Sequence, residues 1–234
     1  MKGSRWVGFL PFYLLIFIGA IGIASAGSNA VSTIAQNSPV TREHRLVIDP
    51  GHGGIDGGAT SCTGVLESRI NLEISLRVND LFRLLGYDTV MIRTGDESIH
   101  TEGNTIAAQK ISDLKERVRI ANETENAVLI SIHQNTFSDS RYHGSQVFYA
   151  PTQGSDRLAE QLQQSLIACL EPDSNRKIKK ADHVYLMQHI NCTGVLIECG
   201  FLSNPEEDAK LRSKDYQKFL SAVIVSTCSQ YLEK

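Results

Sequence analysis

The 234-residue chain has no basic stripe, and its formal charge of −3 gives no reason to expect nucleic acid. It has no C-x-x-C pair, and its five cysteines are an odd number, so spacing assigns no disulfide. Cys62, Cys169, Cys192, Cys199 and Cys228 are expected as small buried residues, since Cys169 and Cys228 fall in apolar helical patterns. Neither a G-x-G-x-x-G nor a Walker A pattern is present, so a nucleotide site is not supported. Without G-x-S-x-G there is no sign of a serine hydrolase. Without H-E-x-x-H, any zinc site must be assembled from residues far apart in sequence. No internal repeat and no second domain stand out.

What is present is globular in composition, 41% apolar and 21% charged, which is enough for one core without disulfide staples. Lys2 and Arg5 precede an apolar run from Trp6 through Ala24, followed by the small-x-small site Ala24-Ser25-Ala26. Residues 1–26 read as a cleaved signal peptide or a retained membrane anchor, and no lipid-modified cysteine follows. Either reading places the domain outside the cytoplasm. Residues 27–44 hold Ser, Asn, Thr, Gln and Pro39 without a sustained period and read as a flexible tether. Residues 45–234 are then the domain.

Arg45–Ile48 predicts a strand that runs into the glycine loop Pro50-Gly51-His52-Gly53-Gly54-Ile55-Asp56-Gly57-Gly58. Glu67 opens a helix through Ile70, Ile74, Val78, Leu81 and Leu85, stopped by Gly86. A strand over 88–92 follows, then an irregular surface insertion over 95–112. Asp113 and Glu116 are expected as a capping box for a helix through Leu114, Val118 and Ala121. Ala127–Ile132 reads as a strand buried on both faces, ending at His133. Gln146–Tyr149 is a strand, Leu158, Leu162 and Leu166 mark a helix, and Val184–Met187 is a short strand. Gly194–Ile197 is a buried strand ending at Glu198. Asn204 caps a short helix with Pro205 at its first position, and Tyr216 through Ile224 belongs to a final amphipathic helix. The alternation predicts a single α/β domain with a mostly parallel twisted sheet and helices on both faces.

In that frame three buried strands end in His52, His133 and Glu198. Ligands of open α/β sheets sit beyond the carboxyl ends of the strands. Glu67 starts a helix at the same edge and joins them. Two imidazoles and a carboxylate suit Zn²⁺ with one position left for water, whose pKa the ion lowers to about 7. The second carboxylate is free to carry a proton. Glu67 lies beside His52 and is the better ligand, while Glu198 comes from another strand end and is the better base. Each residue also has an ordinary reading, as a loop histidine, a helix-capping acid, a strand-end histidine or half of a buried ion pair. Arg93 and Asn135, just past strand ends, are open to substrate contact or loop bracing. His44, His100, His143, His183 and His189 read as surface or structural.

With Val47-Ile48-Asp49-Pro50-Gly51-His52-Gly53-Gly54, Glu67, Ile130-Ser131-Ile132-His133 with Asn135, and Leu196-Ile197-Glu198-Cys199-Gly200-Phe201-Leu202-Ser203-Asn204-Pro205, the chain resembles the zinc-dependent N-acetylmuramoyl-L-alanine amidases of bacterial cell walls. The resemblance runs from about Leu46 to Tyr231. It implies that His52, Glu67 and His133 hold Zn²⁺, that Glu198 is catalytic, and that peptidoglycan is the substrate. Asp113–Val118 and Val184–Gln188 are similar to the sporulation and germination branch. That branch implies stem-peptide removal on the way to muramic-δ-lactam in spore cortex, alongside a deacetylase and in some bacteria a lipoprotein partner. The added helix that covers the zinc in the cell-division branch has no room here. Ser68 departs from the Lys or Arg of many members, Gln134 and Cys199 sit at variable positions, and Ser61-Cys62-Thr63 lies in a loop near the site. None of these is expected to touch a ligand. A general wall-remodelling amidase, a zinc peptidase acting within the stem peptide and a non-catalytic wall-binding module are the alternative readings.

Overall fold

The computed structural model describes residues 42–233. The apolar run Trp6–Ala24 and nearly all of the tether lie outside the described residues. No helix among the described residues is long and apolar enough to cross a membrane.

Six strands form one sheet: β1 (Arg45–Pro50), β2 (Asp88–Met91), β3 (Ala127–Asn135), β4 (Gln146–Tyr149), β5 (Lys179–Lys180) and β6 (Thr193–Phe201), in the order β2-β1-β3-β6-β4-β5. The first four in that order are parallel, while β4 runs antiparallel to β6 and parallel to β5. The expected mostly parallel sheet is therefore present, with a reversed edge. The helices are α1 (Glu67–Leu84), α2 (Ile106–Glu123), α3 (Ser155–Leu170), α4 (Tyr185–His189), α5 (Pro205–Leu211) and α6 (Lys214–Leu232).

Each central strand is buried on both sides, which explains its unbroken apolar run. Leu46, Ile48, Val128, Ile130, Val195 and Ile197 pack under α1, α3 and α6. The alternate residues Val47, Leu129 and Leu196 pack with Ala121 of α2 and with Leu186 and Met187 of α4. This second face changes chemistry toward the carboxyl ends of the strands. Asp49, His133 and Glu198 continue the same two-residue period as Val47, Leu129 and Leu196, so they emerge on the side of α2 and α4.

Gly86 ends α1 as predicted. Its φ is 81°, its N–H reaches Arg83 O at 3.0 Å, and Tyr87 N–H reaches Phe82 O at 3.0 Å. The rings of Phe82 and Tyr87 close this Schellman stop at 5.4 Å. Three expectations need correction. Val184–Met187 is not a strand: Tyr185–His189 forms one helical turn that puts Leu186 and Met187 into the core. α2 begins at Ile106 with Thr105 as its cap, accepting from Ala108 N at 3.2 Å, so Asp113 is mid-helix and not a cap. Exposed Ile106, Ile111 and Leu114 broke the apolar period there. Among the cysteines, Cys199 and Cys228 are buried, but Cys62 and Cys169 are exposed and Cys192 is intermediate, and all five are free thiols.

Candidate metal centre

The glycine loop is built by close approach. Gly51 N–H donates to Ile132 O at 3.0 Å, and a Cβ at this position would lie 2.2 Å from His133 Nε2. Only glycine lets β1 end beside that imidazole. His52 follows with φ 60°, in the left-handed region that a side chain disfavours. Two buried arginines fix it there. Arg93 Nε donates to Pro50 O at 3.0 Å and His52 O at 2.7 Å, and its Nη2 donates to Gly51 O at 2.9 Å and Ser68 O at 2.8 Å. Arg117 Nη2 donates to His52 O at 2.7 Å. Arg117 is itself paired with Asp49 and Asp113. Arg93 is therefore a loop brace and does not open onto the site. Asn135 likewise serves a turn, its Oδ1 accepting from Thr136 N at 2.8 Å.

Glu67, the first residue of α1, turns its carboxylate back between the two histidines. Its Oε2 lies 3.3 Å from His52 Nε2, and its Oε1 lies 3.0 Å from His133 Nδ1. Three donors hold the carboxylate: Ala59 N at 2.9 Å, Asn71 Nδ2 at 3.1 Å and Gln134 N at 3.1 Å. The last corrects one expectation, since position 134 touches a candidate ligand through its backbone. One nitrogen from each imidazole and one carboxylate oxygen lie within 4.8 Å of one another. Burial opposes charge on both partners, yet Glu67 and Asp56 raise the His52 pKa to about 9, and the two imidazoles hold Glu67 well below the usual carboxylate range.

Asp56 is the residue that sequence reasoning missed. Its Oδ2 is 2.8 Å from His52 Nδ1, and Lys110 Nζ donates to its Oδ1 at 2.7 Å. This contact leaves His52 Nε2 facing Glu67. The i,i+4 spacing of Asp56 from His52 was visible, but the Lys110 contact crosses from another element.

Glu198 is the register partner of His133 on the neighbouring strand. One of its carboxylate oxygens is buried without a hydrogen-bond partner. Burial pushes its pKa up to about 7; His133 and His52 pull it down, and Glu67 pushes it further up. The residue faces a cavity of about 400 Å³ bordered also by Leu114, His183 and Tyr185. His183, expected as surface or structural, thus lines the cleft. Two nitrogens and one hard oxygen, converging next to an unpartnered carboxylate, fit a catalytic Zn²⁺ set with an open position. All four sequence-predicted residues come together.

The family model described as N-acetylmuramoyl-L-alanine amidase matches residues 46–228. The chain is 32% identical over 237 residues to the germination-specific N-acetylmuramoyl-L-alanine amidase of Bacillus subtilis strain 168, covering 100% of this chain and 97% of that protein. Among solved structures it is similar to the CwlD amidase from Clostridioides difficile in complex with the GerS lipoprotein, with TM-score 0.78 and 34% identity, covering 81% of this chain and 98% of that one. The N-acetylmuramoyl-L-alanine amidase from Clostridium difficile 630 gives TM-score 0.72 and 30% identity, covering 83% and 99%.

Proposed function

The chain belongs to the N-acetylmuramoyl-L-alanine amidase family and is a peptidoglycan-acting enzyme, and from that premise we propose a zinc-dependent hydrolase of the muramoyl–L-alanine amide that serves spore cortex modification. His52, Glu67 and His133 would hold the ion. A bound Zn²⁺ supplies Lewis acidity and makes water acidic enough to attack at neutral pH.

The rest of the chemistry falls to the chain. Asp56 orients His52 through Nδ1, and Ala59, Asn71 and Gln134 orient the Glu67 carboxylate. Glu198 takes the proton of the attacking water as the C–O bond forms. It returns that proton to the alanine nitrogen as the C–N bond breaks, leaving a lactyl carboxylate on the sugar and a free amine on the peptide. Burial without a hydrogen-bond partner raises the proton affinity of this carboxyl group, which favours its taking up the proton before passing it on. The observation that carries the reading is the unpartnered, buried Glu198 oxygen beside the three converging donors.

Glu198→Gln is expected to retain zinc and to lose roughly 10²–10⁴-fold in peptide release from purified peptidoglycan. Full activity in that variant would remove Glu198 from the mechanism. Mass spectrometry of the released fragments separates an amidase from a stem-peptide peptidase, because only the amidase frees a peptide with L-alanine at its amino end. The cortex role rests on the germination-specific relative, and a lipoprotein activator on the complex reported for the similar clostridial amidase. Spores made without this chain should lack muramic-δ-lactam in their cortex, and normal lactam content would refute the role. A deacetylase would act in the same pathway. We also propose that residues 1–26 export or anchor the domain outside the cytoplasm, with 27–44 as tether and 45–234 as the catalytic domain.

A further inference from the structure

The loop between β3 and β4 starts just beyond His133 and leads into Gln146, the register partner of Glu198. It carries two large exposed rings, Phe137 at 51% and Tyr142 at 48% exposure, with centroids 4.6 Å apart. Beneath them lies buried Phe201, 6.2 Å from Tyr142 and covered on another side by Arg176 at 4.9 Å. The loop is held rigidly. Phe137 N–H donates to Ser203 Oγ at 3.0 Å, Asn204 Nδ2 to Ser140 O at 2.9 Å, and Arg176 Nε to His143 O at 3.0 Å. A tethered loop that still leaves two aromatic rings in water does not arise from core packing. Next to Tyr142 opens a cleft of about 630 Å³ whose wall includes Arg141, Asn175 and Arg176.

We propose that Phe137 and Tyr142 form a platform for the sugar rings of the glycan strand on one side of the scissile muramoyl unit. This inference rests on the amidase reading above. The loop leaves β3 after Asn135 and enters β4 at Gln146, opposite Glu198, so it borders the same edge of the sheet as His133 and Glu198, within reach of a polymer longer than the scissile unit. Sugar rings present apolar C–H faces that stack on aromatic rings, while their hydroxyl and acetamido groups accept from guanidinium and amide donors.

The test compares wild type with the Phe137→Ala/Tyr142→Ala double variant on two substrates: insoluble peptidoglycan sacculi and a soluble disaccharide-peptide monomer. The expected result is a KM on sacculi raised about tenfold, the equivalent of one aromatic stacking contact, with kcat held. Hydrolysis of the monomer should change less than about twofold. Phe137→Tyr/Tyr142→Phe should restore wild-type behaviour on sacculi. Retention of the double variant on immobilised glycan strands stripped of stem peptides reads binding without turnover, so it does not depend on the zinc or Glu198 assignments. Unchanged binding to those strands would overturn the proposal and leave the rings to a protein partner. An equal loss on both substrates would also overturn it, by showing a general disturbance of the site.

Discussion

His52 sits in a backbone conformation that costs a non-glycine residue about 1–2 kcal/mol, and the guanidinium groups of Arg93 and Arg117 hold it there. Arg93→Met would remove the guanidinium's bonds to the carbonyls of Pro50, Gly51, His52, Ser68 and Gly95, while Arg117 still serves Pro50 and His52 and Asn71 Nδ2 still serves Gly51. The lost charge-assisted bonds predict a destabilisation of about 2–4 kcal/mol, readable by urea unfolding. Gly51→Ala tests the neighbouring constraint. Its methyl group would overlap His133 Nε2, so the ring must move. Metal affinity, measured by chelator competition, should fall roughly 10–100-fold, the effect typical of disturbing the support of a ligand. Unchanged affinity would mean that His133 is not held where the cradle needs it. His52, Glu67, His133 and Glu198 were legible in the sequence because each sits where an apolar strand stops or an apolar helix starts. Asp56, Lys110 and the bracing role of Arg93 were not. Their partners lie 41 to 54 residues away in the chain for Arg93–His52 and Lys110–Asp56, and no local pattern encodes such a contact.

Elements with a clear period or an explicit stop were legible, and those without were not. β1, β3 and β6 carry unbroken apolar runs because both faces are covered. α4 is one turn long, and over so few residues a Val-Tyr-Leu-Met run has no period to distinguish turn from strand. α2 hid its first turns because the 95–105 segment covers part of it with polar contacts, among them Asp113 Oδ1 accepting from Ile99 N at 2.8 Å. The start of α5 was readable from Asn204-Pro205, and it makes a sharp test. Asn204 Oδ1 accepts from Glu206 N at 3.0 Å and Glu207 N at 3.1 Å. Asn204→Ala should cost about 1 kcal/mol through the lost cap. For a domain of this size that lowers the thermal midpoint by roughly 2–4 °C, measurable by calorimetry. A larger drop would show that its hold on Ser140 also anchors the 136–144 loop.

Across the whole molecule, carboxylates and imidazoles are set so that protons and metal compete for one cradle. Burial works against ionised Asp49, yet Arg117 and Ser131 keep its pKa below the ordinary 3.8. Asp208, beside Arg212, is likewise lowered. Their contribution to stability is fully present above that ordinary value and is lost as pH falls below it, through the lowered folded-state pKa. His52 and Glu198 act in the opposite sense. The His52 pKa is raised from 6.5 to about 9, so the stability gained from its proton is full below 6.5 and is lost as pH rises toward 9. Glu198 is raised from 4.5 to about 7, so the folded state favours its neutral form and stability declines across that interval. The metal-free domain is therefore expected to be most stable on the acid side of neutrality and to weaken through neutral pH. Metal binding needs His52 Nε2 free of its proton, so ions displace protons and stabilise more as pH rises. The rise in thermal midpoint on adding Zn²⁺ should be larger at about pH 8 than at about pH 5.5, and Glu198→Gln should flatten the metal-free decline between about pH 5 and 7. An equal zinc-induced rise at both pH values would mean that the ion does not compete with the His52 proton, and His52 would lose its place as a ligand.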